Sequence, residues 1–67
     1  GGNVGIGTDT PGAKLHIASS AIIVGTAGTP TSAGAGVTGQ IQWDASFIYV
    51  CTSTGPSVWK RAALSTF

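Results

Sequence analysis

Short alternating runs separated by glycine-rich turns dominate the chain, and they predict β-strands and no helix. Asn3 to Gly7 alternates Val4 and Ile6 with glycines, which reads as a first strand. Thr8-Asp9-Thr10-Pro11-Gly12 is turn chemistry: Asp and Thr side chains bond the backbone, Pro presets φ, and Gly accepts φ > 0. Lys14 to Ala18 places Lys14 and His16 on one face and Leu15 and Ile17 on the other, a half-buried strand. Ala21 to Val24 is apolar at every position, so burial on both faces is expected there. Gln40 to Trp43 alternates again, and Asp44-Ala45-Ser46 turns the chain. Phe47 to Thr52 puts Phe47, Tyr49 and Cys51 on one face and Ile48, Val50 and Thr52 on the other. Ser53 to Ser57 forms a hairpin loop, and Val58 to Leu64 returns as the last strand of a three-strand meander. No window carries apolar residues at helical spacing without Gly, Pro or β-branched interruption.

Between these runs lies a different material. Thr26 to Gly39 reads TAGTPTSAGAGVTG, without a charge or a large side chain. It is expected either to be an extended linker or to pack against copies of itself, since small residues allow close backbone approach. The resulting division is an N-terminal β segment over residues 1–25, a Gly/Ala/Thr/Ser-rich linker over 26–38, and a C-terminal β-meander over 39–67.

Composition sharpens this picture. The 67 residues include eleven glycines and only five charged side chains, for a net charge of +1. That excludes a nucleic-acid binder driven by phosphate contacts, which needs a basic stripe. An apolar content of 42% and a mean hydropathy of +0.34 exclude charge-driven disorder. The longest apolar run, Phe47 to Cys51, falls far short of the roughly 18 residues that span a membrane. The chain has no Met, so a processed or excised piece of a longer chain is expected, with Gly1-Gly2 as a junction scar.

Size is the decisive constraint. Below about 70–80 residues a single core rarely contributes more than ~3–5 kcal/mol, and small domains add disulfides, a metal or partners. Cys51 is the sole cysteine, and neither a CxxC pair nor a His/Cys cluster is present. Oligomerisation is what remains. The meander points the same way: both faces of Phe47 to Cys51 are apolar, and about 28 residues of isolated meander are not stable in water. In a symmetric assembly one face is covered by the chain's own strands and the other by a neighbour.

Two stretches carry a family resemblance. Asn3-Val4-Gly5-Ile6-Gly7-Thr8, Pro11 and Lys14-Leu15-His16-Ile17 resemble a motif that recurs in bacteriophage tail fibres and tail spikes. Gly39-Gln40-Ile41-Gln42-Trp43-Asp44, Tyr49-Val50-Cys51 and Trp59-Lys60-Arg61 resemble a segment at the C-terminal ends of such fibres. Gly39-Gln40, Tyr49-Val50, Trp59 and Leu64 to Phe67 are similar to the foldon of fibritin, a β-hairpin trimerisation domain of phage whiskers. Ile41 to Ile48 separate the Gly-Gln pair from the Tyr-Val pair, unlike in the foldon, so the idea of a trimeric hairpin carries over and its contacts do not. The resemblance implies an all-β, intertwined homotrimer with a C-terminal trimerisation cap. It also implies a virion location in a tail fibre, extracellular after release.

The expected role is structural: three copies associate, set their register and seal the fibre end. Ile41, Trp43, Tyr49, Val50, Trp59, Leu64 and Phe67 are expected at the trimer core or interface. The alternative is a receptor-binding tip for host-surface groups or glycans, presenting Asp44, Ser46, Ser53, Thr54 and Gly55. Neither reading needs a cofactor.

Candidate chemistry is sparse. Gly5-Ile6-Gly7, Gly12 and Lys14 fail the phosphate-loop pattern because Ala13 stands where the lysine belongs. His16 is read as a solvated or packing histidine, against a threefold ring that would bind an ion on the axis. Cys51 has no paired acid and reads as a small core residue rather than a nucleophile. Self-cleaving domains that follow some tail fibres use Ser–Lys chemistry, but they are far longer and largely helical, so Ser65 and Lys60 are read as non-catalytic. Trp43, Tyr49 and Trp59 could stack on a glycan, but the core has first claim on them. Lys60 or Arg61 is a candidate partner for Asp44 in the same or a neighbouring chain. No enzymatic activity is expected.

Overall fold

The computed structural model describes residues 2–67. They form an all-β chain with two small sheets and, among the described residues, no helix. Strands β1 (Val4–Ile6) and β2 (Leu15–Ile17) make the first sheet. Strands β3 (Ile41–Trp43), β4 (Phe47–Ser53) and β5 (Val58–Ala63) make the second. Neither β1 nor β2 packs on β3, β4 or β5.

β1 and β2 are parallel, pairing Val4 with Leu15, Gly5 with His16 and Ile6 with Ile17. Parallel neighbours usually need a long crossover because the chain must return the length of the strand. Here each strand is only three residues, so the short arch of residues 7–14 suffices. Pro11 is part of that arch, and the Gly12 amide donates to His16 Nδ1 at 2.9 Å, closing it. The pairing aligns Val4, Ile6, Leu15 and Ile17 on one side of the sheet, with Val4, Ile6 and Leu15 exposed.

The second sheet is the expected meander, in the order β3-β4-β5 and antiparallel throughout. A register shift between Cys51 and Ser53 leads into the hairpin loop. Opposite residues share a face, so Gln42, Tyr49, Cys51, Trp59 and Arg61 lie on one side. Ile41, Trp43, Ile48, Val50, Lys60 and Ala62 lie on the other. The core is Tyr49, Cys51 and Trp59, with Phe47 packed against it, and it sits wholly on the first of these faces.

The cover of that face is the stretch expected to be a linker or to pack against copies of itself. Residues 28–38 instead cross the face of their own sheet as a strap. The Gly28 amide donates to the Trp43 carbonyl at 2.8 Å, and the Trp59 amide donates to the Ser32 carbonyl at 3.1 Å. Trp59 Nε1 donates to the Gly34 carbonyl at 3.0 Å, and Ser57 Oγ donates to the Gly36 carbonyl at 3.3 Å. At its far end the Thr38 amide donates to Thr54 Oγ1 at 2.7 Å. The composition has a steric reason. A Cβ on Gly36 would stand 2.6 Å from Trp59 Cζ2, and one on Gly28 would stand 2.8 Å from the Gln42 amide group.

Ala21 to Val24 departs from the expectation of two-sided burial. These residues form no strand, and Ile22 and Ile23 are 70% and 90% exposed. The strap already covers the one closed face, and this segment is tied to the sheet at its edge, where Trp43 Nε1 donates to the Val24 carbonyl at 2.7 Å.

The chain is extended for its size. Its radius of gyration is 14.6 Å, against roughly 11 Å for a compact domain of this length. Its accessible surface is 5149 Å², against roughly 3,900 Å² for a compact protein of this mass.

Candidate interaction surfaces

Asp44 is the most connected polar side chain. One oxygen, Oδ1, accepts from the Ser46 amide at 2.8 Å and the Phe47 amide at 2.9 Å, which shapes the β3–β4 turn. The other, Oδ2, accepts from Thr29 Oγ1 at 3.1 Å and from the Tyr49 hydroxyl. The carboxylate therefore joins the turn, the strap and the core. The Tyr49 hydroxyl, with the amide and Thr29 bonds, holds the Asp44 carboxyl down to about 2. The same Tyr49–Asp44 bond raises the Tyr49 hydroxyl above its ordinary value, with burial and the Asp44 charge acting in the same direction.

Within the chain Arg61 takes a different place from the pairing with Asp44 considered above. Its guanidinium lies 4.1 Å from the centre of the Phe47 ring, and that ring tilts against Tyr49 at a centroid distance of 5.9 Å. A concavity of about 470 Å³ opens between Pro30, Thr31 and Ser32 of the strap and Tyr49, Trp59 and Arg61 of the sheet. Its Tyr and Trp donors are already committed, to Asp44 and to the Gly34 carbonyl. It presents one cation and no nucleophile–base pair.

The seven residues expected at a trimer interface divide in two. Tyr49 and Trp59 are buried by their own chain. Ile41, Trp43, Val50, Leu64 and Phe67 are exposed. Trp43 stands on the opposite face from Tyr49 and Trp59, so the three aromatics form no common stacking platform. Alternation along Gln40 to Trp43 signals this split, since Gln42 rather than Trp43 pairs with Tyr49.

The residues expected to face a receptor also divide. Asp44 and Ser46 lie at one end of β4, and Ser53, Thr54 and Gly55 at the other, about 20 Å of strand apart. Asp44 holds the turn, the Ser53 carbonyl accepts from Cys51 Sγ at 3.3 Å, and Thr54 anchors the strap. Gly55 is exposed at a left-handed turn position with φ of +81°.

Cys51 is fully buried in the core. His16 is half-buried, and its Nδ1 serves the arch. Among the described residues no three His, Cys, Asp or Glu side chains converge on a metal position, and every buried side-chain polar atom has a partner.

What distinguishes the surface is apolar. Ile22, Ile23, Val24, Ile41, Trp43 and Ile48 line a shallow depression of about 420 Å³. A second, of about 250 Å³, continues it across Ile48, Val50, Lys60, Arg61 and Ala62. No family model matches the chain, and no curated protein or solved structure is significantly similar to it.

Proposed function

We propose that this chain is a structural assembly module, a homotrimeric terminal piece of a phage tail fibre that joins three chains, sets their register and caps the end. The supporting observation is the surplus of surface. One chain exposes roughly 1,200 Å² more than a compact protein of its mass, and its interior comprises three buried side chains. Such an interior is too small to offset the ordering of the whole chain, so the missing burial must come from further copies. Three copies amount to about 200 residues, a size at which a shared core is ordinary. The trimeric number and the fibre setting rest on the resemblance of the Asn3–Ile17 and Gly39–Arg61 motifs.

The role needs neither catalysis nor a cofactor. Register is what it supplies: a one-residue slip in any strand would exchange its covered and uncovered faces. Sedimentation of the purified chain across a dilution series is the test. A species of three chains that dissociates on dilution supports the proposal. A single chain that melts cooperatively at nanomolar concentration would overturn it.

A further inference from the structure

We infer that the three copies associate through the face of the meander that the strap leaves open, Ile41, Trp43, Ile48 and Val50 with the Ile22–Val24 shelf beside it, and that the Tyr49–Trp59 face stays turned away from the joint. This rests on the assembly role proposed above and names its surface.

The two faces of the same strands differ in burial. Tyr49 and Cys51 are 3% and 0% exposed, while Trp43 and Val50, one or two positions away on the sheet, are 38% and 37% exposed. Both faces are built from large apolar side chains, and only one has a cover. The exposed parts of Ile22, Ile23, Val24, Ile41, Trp43, Ile48 and Val50 come to on the order of 750 Å² per chain, shared between two neighbours in a trimer, and make up over half of the roughly 1,200 Å² by which one chain exceeds a compact protein of its mass.

The sheet part of the patch carries one side-chain donor besides Lys60, the Trp43 indole, and it is satisfied within the chain by the Val24 carbonyl at 2.7 Å. Among the described residues the charges at the patch come from β5: Lys60 on the same face and, at its border, Arg61, whose guanidinium lies over Phe47 on the other face. The long Lys60 stem can reach a rim while its head stays in water. No opposite charge on the patch asks for a charged partner. An apolar face of this size, with Lys60 on its edge strand as its one charge, fits a second copy of itself, and three such faces turned toward a common axis form a core of stacked sheets.

The open face of β1–β2, lined by Val4, Ile6, Leu15 and Ile17, is the competing surface, and it serves as the control. The experiment compares I48K/V50K with V4K/I6K in the full chain, by sedimentation over dilution and by circular dichroism. Both pairs are exposed in the single chain, so neither substitution enters the Tyr49–Cys51–Trp59 core. The expected result is that I48K/V50K raises at least 100-fold the concentration below which the trimer and its β-spectrum are lost together, and that V4K/I6K raises it less. Unchanged association in I48K/V50K, or loss confined to V4K/I6K, overturns the surface while leaving the trimer standing. A single-chain species in the unsubstituted protein sinks both.

A second measurement needs no variant. In the assembled protein both indoles should resist quencher, Trp59 beneath the strap and Trp43 beneath neighbouring chains; an assembled species with one indole fully open to quencher overturns the inference.

Discussion

Gly36→Ala is the sharpest probe of the strap. Gly36 sits outside the left-handed region of φ, so alanine can take its backbone conformation, and the effect must be steric. The added Cβ would stand 2.6, 2.8 and 2.9 Å from Trp59 Cζ2, Cε2 and Nε1. Ordinary carbon contacts lie near 3.5–4.0 Å, so strap and indole must separate by about 1 Å. The ring cannot retreat freely, because its Nε1 is tied to the Gly34 carbonyl and it forms one of three core side chains. Overpacking of this kind costs about 1–3 kcal/mol. For a chain of this size that corresponds to a fall of roughly 5–20 °C in Tm. The assay is thermal unfolding followed by indole emission, at one fixed chain concentration so that association does not move the midpoint. Gly25→Ala is the matched control: a Cβ there meets nothing within 4 Å. It should leave Tm unchanged or raise it slightly. On a Trp59→Phe background, where the indole's second ring is gone, the Gly36→Ala penalty should shrink by about 0.5–2 kcal/mol. If Gly36→Ala melts with Gly25→Ala, or its penalty is undiminished on the Trp59→Phe background, the strap does not lie on that ring.

Other predictions follow from the same contacts. Trp59→Ala removes the largest core side chain and the Gly34 anchor, and should cost about 3–5 kcal/mol in urea unfolding; a change under about 1 kcal/mol would place Trp59 outside the core. The Asp44 carboxyl lies at about 2 when folded and at its ordinary 3.8 when unfolded, so its stabilisation is complete above the unfolded value and is lost as pH falls through the folded one. Urea midpoints should therefore decline between pH 4 and 2, and more steeply than in Asp44→Asn, which has no carboxyl to protonate. Tyr49 is the single tyrosine, so its ultraviolet titration is unambiguous; the midpoint should lie above the ordinary 10.0, and its stabilisation, complete below that value, is lost as pH rises through the folded pKa. Asp44→Asn should bring the Tyr49 titration back down. In hydrogen exchange of the assembled protein, the Val4 and Ala18 amides that join β1 to β2 should exchange well before those of β4, because no other strand of the chain packs on them.

The meander was legible in the sequence because each of its signals is local. Alternation in Gln40–Trp43 and Phe47–Thr52, the Asp44 turn and the Ser53–Ser57 loop each act within a few residues, and the observed strands match them to within one or two positions. The face holding Phe47, Tyr49 and Cys51 was legible too. What covers it was not. The Thr26–Gly39 composition permits close approach but does not say to what, and the answer depends on Trp59, more than twenty residues away. Ala21–Val24 misled for a related reason: continuous apolarity marks a segment that gains from burial, and in the single chain the strap takes the available face. The parallel register of β1 and β2 was likewise silent, since two three-residue strands carry too little pattern to fix their direction.

The strap also explains why self-association would use one particular face. Covering a three-strand sheet takes about eleven residues of chain that can approach an indole closely, and residues 28–38 are the segment with that composition. The strap begins at the end of β3, crosses to the outer edge of β5 at Ser32, and is back at β3 by Gly39. Its length and its hydrogen bonds are used up on the Tyr49–Trp59 face. Ile22–Val24 reaches the other face only at the β3 edge, through Trp43. A single chain thus contains one cover and two faces that need one. The proposed symmetric association would supply the second cover without further sequence, each open face serving as the lid of its neighbours. That arrangement also gives the glycines and the large apolar residues separate duties. Glycine in the strap closes one face of each chain, and Ile41, Trp43, Ile48 and Val50 would join the chains, so substitutions in the two sets should act on different surfaces.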